Sequence, residues 1–318
     1  MSGLYKYMTV VSCGILLAAC KTGSSNAPTT SSAEQAKART MSEIIEASNA
    51  ADWRELDPEQ TLYFEFSGKR VVIELAPQFA PEHVANIKLL AQQGYWDGLS
   101  INRSQDNFVV QWGDAAENEA DRKSIGEAKG SLPAEFSTNI ANISFNKIPD
   151  ADAWAPAAGF AEGFPIGIDQ KTATAWLAHC YGTIGAGRDT APDSSNGAQL
   201  YVVTGQSPRQ LDLNITTVGR VVQGMEHLSV IPRGPAPMGF FDKPEQRVKI
   251  DSIKLASQVA QDQRSNLQIM RTDTSTFAEL VESRRNRRDQ WYVRPAGHID
   301  LCNIPIPVRP TPSAIATP

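Results

Sequence analysis

The sequence predicts a mainly β fold, a closed β-barrel capped by two helices, and three observations predict it. An alternating hairpin pattern opens near Thr61. Short apolar segments separated by glycine, proline and asparagine follow it. Only two stretches between Thr61 and Ala256 carry signals of a helix.

The hairpin is "TLYFEFSGKRVVIEL". Leu62, Phe64 and Phe66, then Val71, Ile73 and Leu75, alternate with the residues between them, and Ser67-Gly68 supplies the turn, so one face is expected to be buried. In "APEHVANIKLLAQQG", Pro81 suits a first helical turn, Val84, Ile87, Leu90 and Ala91 share a helical face, and Gly94 suits a stop. Phe108 to Gln111 reads as a strand. From Ala115 to about Thr174 no steady period emerges, and residues 144–171 are read as a long surface insertion rich in Gly, Pro and Ala. Strands are expected again in "CYGTIGAG", "AQLYVVTG", "TTVGRVV" and "QRVKIDSIKLA", with a short helix starting near Gln223. A C-terminal extension, 257–318, contains "STFAELVESRRNRRDQW". Phe277, Leu280 and Val281 share one helical face there, and Thr276 and Glu279 have capping-box spacing. Arg284, Arg285, Arg287 and Arg288 either form a solvated face that complements the helix dipole or meet an anionic lipid or envelope partner. Pro305 to Pro318 reads as a loose tail.

Composition narrows the function. With 318 residues, 41% hydrophobic and a net charge of −5, the chain suits one domain with extensions. That charge argues against a general nucleic-acid binder. The start, "MSGLYKYMTVVSCGILLAAC", has Lys6, an apolar run too short to span a bilayer, and small residues before Cys20, which is the pattern of a secretory signal. Leu17-Ala18-Ala19-Cys20 resembles the lipobox of bacterial lipoproteins. That resemblance implies a signal peptide over 1–19, lipid on Cys20 and a flexible tether over 20–40, and Lys21 in place of an aspartate favours the outer membrane, facing the periplasm. Cys180 and Cys302 could form one disulfide in an oxidising compartment or remain two separate buried thiols. Four scattered histidines and the absence of CxxC spacing predict no metal.

Three blocks in order carry a further resemblance: "VVIELAPQFAPEHVANIKLLAQQGYWDG", "INRSQDNFVVQWGD", and "GTIGAGRDTAPDSSNGAQLYVV" continuing to "LDLNITTVGRVVQGMEHL". Together they are similar to the cyclophilin family of peptidyl-prolyl isomerases over roughly Thr61 to Ala256. The resemblance implies a cyclophilin-like domain within 41–256, an eight-stranded antiparallel barrel with a helix at each end, and no cofactor. Its implied partners are proline-containing polypeptides of the envelope, reached from a membrane anchor.

Residue by residue, Arg103 falls on the family's catalytic arginine and Gln111 on the glutamine that orients it. Phe108, Val109, Tyr201 and Leu211 match the walls of the proline pocket, with Val109 in place of a methionine and Tyr201 in place of a phenylalanine. Gln199, Gly187 and Asn196 match the peptide groove. Asn102, Ile101, Gln210 and Ile215 depart from the family's usual His, Phe, Trp or His, and His. A weakly catalytic proline-binding module and a structural envelope lipoprotein are the rival expectations.

The chemistry fits those residue types. Rotation about an X-Pro bond passes through a twisted amide that has lost about 18–20 kcal/mol of resonance. The prolyl nitrogen gains a lone pair only there, so a donor aimed at it favours the transition state over the planar ground state. A guanidinium, always charged and planar, suits that task.

Overall fold

The computed structural model describes residues 39–288 and 291–312. The signal peptide, Cys20 and nearly all of the expected tether lie outside the described residues. Among those residues no helix is long and apolar enough to cross a membrane.

A nine-stranded antiparallel sheet forms the core. Its spatial order is Val248–Lys249, Ser100–Ser104, Val109–Gly113, Leu200–Val203, Thr183–Ala186, Thr217–Gln223, Lys69–Leu75, Thr61–Phe66 and Ser252–Leu255. This corrects the expected closed barrel of eight strands. The first and last strands are halves of one segment that changes partner at its middle: Ile250 N–H donates to Leu99 O (2.8 Å), while Asp251 N–H donates to Glu65 O (2.8 Å). The sheet therefore curls until both edges meet the same stretch of chain, without a ladder of eight strands running round it.

The Thr61–Phe66/Lys69–Leu75 hairpin forms as the alternation requires, with Ser67 at φ 50° and Gly68 at φ 69° in its turn. It is buried on both faces rather than one. Leu62, Phe64, Phe66, Val71, Ile73 and Leu75 enter the main core with Trp96 and Trp112. Tyr63 and Val72, on the other face, are covered by Ala256 and, from the C-terminal extension, by Leu267. The helix Pro81–Gln92 buries Val84, Ile87, Leu90 and Ala91 in the main core, and the carboxylate of Glu135 accepts from the N–H groups of Glu82 and His83 at its start (both 2.9 Å). A short helix, Met225–Ser229, follows Gly224.

The insertion is a folded sheet and not a surface loop. Its five strands run in the order Thr138–Asn139, Thr174–Leu177, Phe164–Asp169, Ala157–Ala161 and Asn146–Lys147, extending past the expected 144–171 on both sides. Phe164, Ile166, Ile168 and Leu177 bury themselves against Phe79. Frequent Ala and Gly shorten the side chains that would otherwise mark the period, which is why alternation was hard to read.

The C-terminal extension folds back over the domain. Leu267–Met270 pairs with Trp53–Glu55 on one side and Val308–Pro310 on the other, so part of the expected loose tail is a strand. Helix Ser275–Arg285 buries Phe277, Leu280 and Val281 as its spacing predicts, with Phe277 edge-on to Phe160 of the insertion. Its cap is Thr274, whose hydroxyl accepts from Phe277 N–H (3.2 Å), and not Thr276. Glu279 instead pairs with Arg39. Arg285 binds Asp150 (2.9 Å) as well as Glu282. Cys180 and Cys302 form a disulfide, which settles the alternative left open by the sequence.

Candidate active site

Strand periodicity sorts core from groove. In Val109–Gly113, Val110 and Trp112 point into the main core, while Val109 and Gln111 take the opposite face. Leu200 and Val202 likewise face the core, and Gln199, Tyr201 and Val203 face away. These two strands are neighbours, with Tyr201 opposite Gln111. On the other side Arg103 is opposite Gln111, after a register shift between Ile101 and Arg103. Such an irregularity re-aims a side chain. Arg103 thereby joins Gln111 on the groove face, while Ile101 and Asn102 stay buried.

The guanidinium of Arg103 is held in one orientation. Its Nε donates to Met238 O (2.7 Å), Nη1 to Gln111 Oε1 (3.2 Å) and Nη2 to Gln105 Oε1. Its Cζ lies 4.8 Å from the ring centre of Phe240 and 5.6 Å from that of Phe108. Three of five N–H groups are thus engaged among the described residues, leaving two free to meet a ligand. Partial burial holds its pKa below the ordinary arginine value, because losing water disfavours the charged form.

Beside it lies an apolar slot in which Val109, Tyr201 and Val203 pack with Phe108 and Ile215. Gly185 stands opposite Tyr201, and a Cβ there would run into the tyrosine ring, so glycine is what lets the floor sit this low. Beyond the slot the groove continues past Gln199, whose Nε2 donates to Asp114 O (2.5 Å) and whose buried Oε1 has no hydrogen bond among the described residues. The whole depression has a volume of about 1060 Å³. All nine groove residues read from the sequence line it: Arg103, Phe108, Val109, Gln111, Gly187, Asn196, Gln199, Tyr201 and Leu211. Ile215 lines it too, while Gln210 is exposed and outside it.

The match to known proteins decides the family. Residues 61–255, well over half of the chain, match the family model described as cyclophilin type peptidyl-prolyl cis-trans isomerase/CLD. The chain belongs to the cyclophilin family. This cyclophilin is 29% identical over 194 residues to a probable peptidyl-prolyl cis-trans isomerase of Brucella suis, covering 61% of this chain and 82% of that protein. A putative isomerase of Staphylococcus saprophyticus is 27% identical over 186 residues, covering 58% of this chain and 86% of its own. Among solved structures it is similar to cyclophilin AquaCyp293 from Hirschia baltica, with a TM-score of 0.65 and 26% identity over 81% of this chain and 92% of that one. That likeness takes in residues beyond the family match. The enzyme activity of this cyclophilin is peptidyl-prolyl cis-trans isomerisation.

Sequence reasoning missed Gln105, Met238 and Phe240, which complete the arginine's surroundings. Phe240 arrives through a lone bridge to Arg103 from a remote loop, "GPAPMGFF". Its exposed apolar run in a glycine-rich segment was the available signal.

Proposed function

We propose that this cyclophilin isomerises X-Pro bonds by placing the ring of the proline in the slot of Phe108, Val109, Tyr201 and Leu211 while Arg103 donates to the prolyl nitrogen as the amide twists. The observation that carries this reading is the fixed guanidinium beside an apolar slot: a donor already oriented needs no reorganisation when the lone pair emerges. Gln111 holds the guanidinium plane, and Gln199 with Gly187 and Asn196 offers polar contacts to the peptide on either side. No nucleophile takes part, because no covalent bond is made or broken. Proline-containing polypeptides are the substrate class.

The test is a protease-free assay of cis-to-trans relaxation of an Ala-Pro tetrapeptide. Wild type accelerates the relaxation, and Arg103→Ala removes most of the gain. Equal rates for the two would leave the groove a binding module.

The clients we propose are envelope proteins, and the support is the N-terminal pattern ending in Cys20. Palmitate labelling of the full chain tests it: wild type takes up label and sediments with membranes, whereas Cys20→Ser does neither. An unlabelled wild type removes the envelope assignment and leaves the isomerase reading intact.

A further inference from the structure

We infer that His179 and Asp212 are positioning residues of the proline pocket, acting through the Tyr201 hydroxyl, and that the insertion reaches the pocket through Asp152 and Arg209. This rests on the proline-pocket reading above.

The starting point is a hydroxyl that faces away from the substrate. The ring of Tyr201 is the pocket floor, but its Oη runs on beneath the floor to His179 Nε2 (2.8 Å). The two rings lie nearly parallel, 11° apart. His179 Nδ1 is 2.8 Å from Asp212 Oδ1, which also accepts from His179 N–H (3.0 Å). The second oxygen, Oδ2, accepts from Arg209 Nε (2.6 Å) and Trp176 Nε1 (3.1 Å). Arg209 then grips Asp152 of the insertion with both terminal nitrogens (3.0 and 3.1 Å).

Every link is out of water: relative exposure is 0% for His179, 3% for Arg209 and 4% for Tyr201, and the side chain of Asp152 is at 2%. The chemistry sets the direction of the bonds. An ionised carboxylate accepts only, so the His179 Nδ1 that faces it carries a proton, and in the neutral imidazole Nε2 is the acceptor for the tyrosine O–H. Burial alone would raise the pKa of Asp212, but the donors from His179 and Arg209 outweigh it and hold the carboxyl below its ordinary value of 3.8.

Two features tie this chain of bonds to the pocket and not merely to the stability of the insertion. It ends on the atom that fixes the tilt of the floor ring, which would otherwise be held by packing alone. Its central carboxylate also sits between pocket elements: Leu211 precedes Asp212 at the end of the turn Arg209–Leu211, and Ile215 follows. Leu213 adopts φ 62° there, a conformation that ordinary residues keep only when their surroundings hold it. Asp212 anchors both floor and side wall, so the slot has its shape before substrate arrives. Loosening the anchor lowers the fraction of chains with a competent slot, which weakens substrate binding and leaves the arginine's chemistry untouched.

The experiment uses the full chain and an Ala-Pro tetrapeptide, with KM and kcat determined separately for wild type, His179→Gln, Asp152→Asn, Tyr201→Phe and the double variant Tyr201→Phe/His179→Gln. All are assayed well below each variant's own Tm. The expected result is a KM raised about 3- to 10-fold in His179→Gln and about 2- to 5-fold in Asp152→Asn, with kcat within 2-fold of wild type. In the Tyr201→Phe background, His179→Gln adds less than a further 2-fold, because the link it breaks is already gone. Should His179→Gln fail to fold, Asp152→Asn carries the test with the same split. Folded variants with a lowered Tm but wild-type KM would overturn this inference and leave the isomerase reading standing. A wild type that neither turns over nor binds the peptide removes both.

Discussion

Replacing Arg103 by lysine separates direction from charge. The guanidinium spends Nε on Met238 O (2.7 Å), Nη1 on Gln111 (3.2 Å) and Nη2 on Gln105, three anchors taken by three different nitrogens of one plane. Lysine carries its three donors on a single nitrogen at the end of a flexible stem, so it cannot span these three acceptors and still keep a donor aimed at the prolyl nitrogen. Losing one preorganised donor to a developing lone pair costs about 100-fold in rate, or about 2.7 kcal/mol at about 1.4 kcal/mol per decade. The positive charge survives the change. Arg103→Lys is therefore expected to retain roughly 1% of wild-type kcat/KM in the tetrapeptide assay, with its Tm within a few degrees of wild type. A lysine variant within about 3-fold of wild type would show that charge near the bond suffices, and the oriented-donor reasoning would fail.

Three other outcomes follow from the structure. The Cys180–Cys302 bridge closes a sequence separation of 122 residues, for which loop entropy gives about 5 kcal/mol, so Cys302→Ser should lose about 3–5 kcal/mol in denaturant unfolding; a loss under about 1 kcal/mol would contradict this. Glu135 accepts from two helix N–H groups and faces His83, and these bonds overcome the burial that would raise its carboxyl, holding its pKa below the ordinary 4.5. Its folded value is depressed, so the stabilisation is present above about pH 4.5 and fades as pH falls through the folded value. Glu135→Gln should cost about 1–2 kcal/mol at neutral pH and flatten the acid loss of stability, and an unchanged pH profile of Tm would refute that. Gly185→Ala pushes a methyl group into the Tyr201 ring, and should lower stability by about 1–3 kcal/mol and raise KM; a variant with wild-type Tm and KM would show that the floor has room to spare.

What the sequence made legible was local. The hairpin, the helix Pro81–Gln92 and the strands carrying Gln111 and Tyr201 follow from periods of 2 and 3.6 and from turn residues, all encoded within a dozen residues, whereas the strand Ser100–Ser104 that carries Arg103 was not read. The groove residues were legible because they sit in three contiguous blocks that resemble the cyclophilin family. Partners that meet across long distances were hidden. Nothing near Asp152 or Trp176 announces Asp212, and Met238 reaches Arg103 from 135 residues away through a backbone carbonyl, which any residue supplies. The second buried face of the first hairpin was hidden for the same reason: Tyr63 and Val72 fall on the face expected to be exposed, and residues remote in sequence, among them Leu267 and Val308 of the returning C-terminal extension, cover them. Closure was misjudged because the segment Val248 to Leu255 reads as one strand, whereas its halves serve opposite edges of the sheet.

The most direct measurement of the central claim is exchange NMR on an Ala-Pro tetrapeptide mixed with wild type or with Arg103→Ala, which reads the catalysed cis-trans rate and the peptide Kd from one sample. The account predicts that Arg103→Ala binds the peptide within about 3-fold of wild type, since the apolar slot is intact, while the catalysed exchange rate falls at least 100-fold. Exchange at the wild-type rate in the variant would show that the oriented guanidinium is not what lowers the barrier.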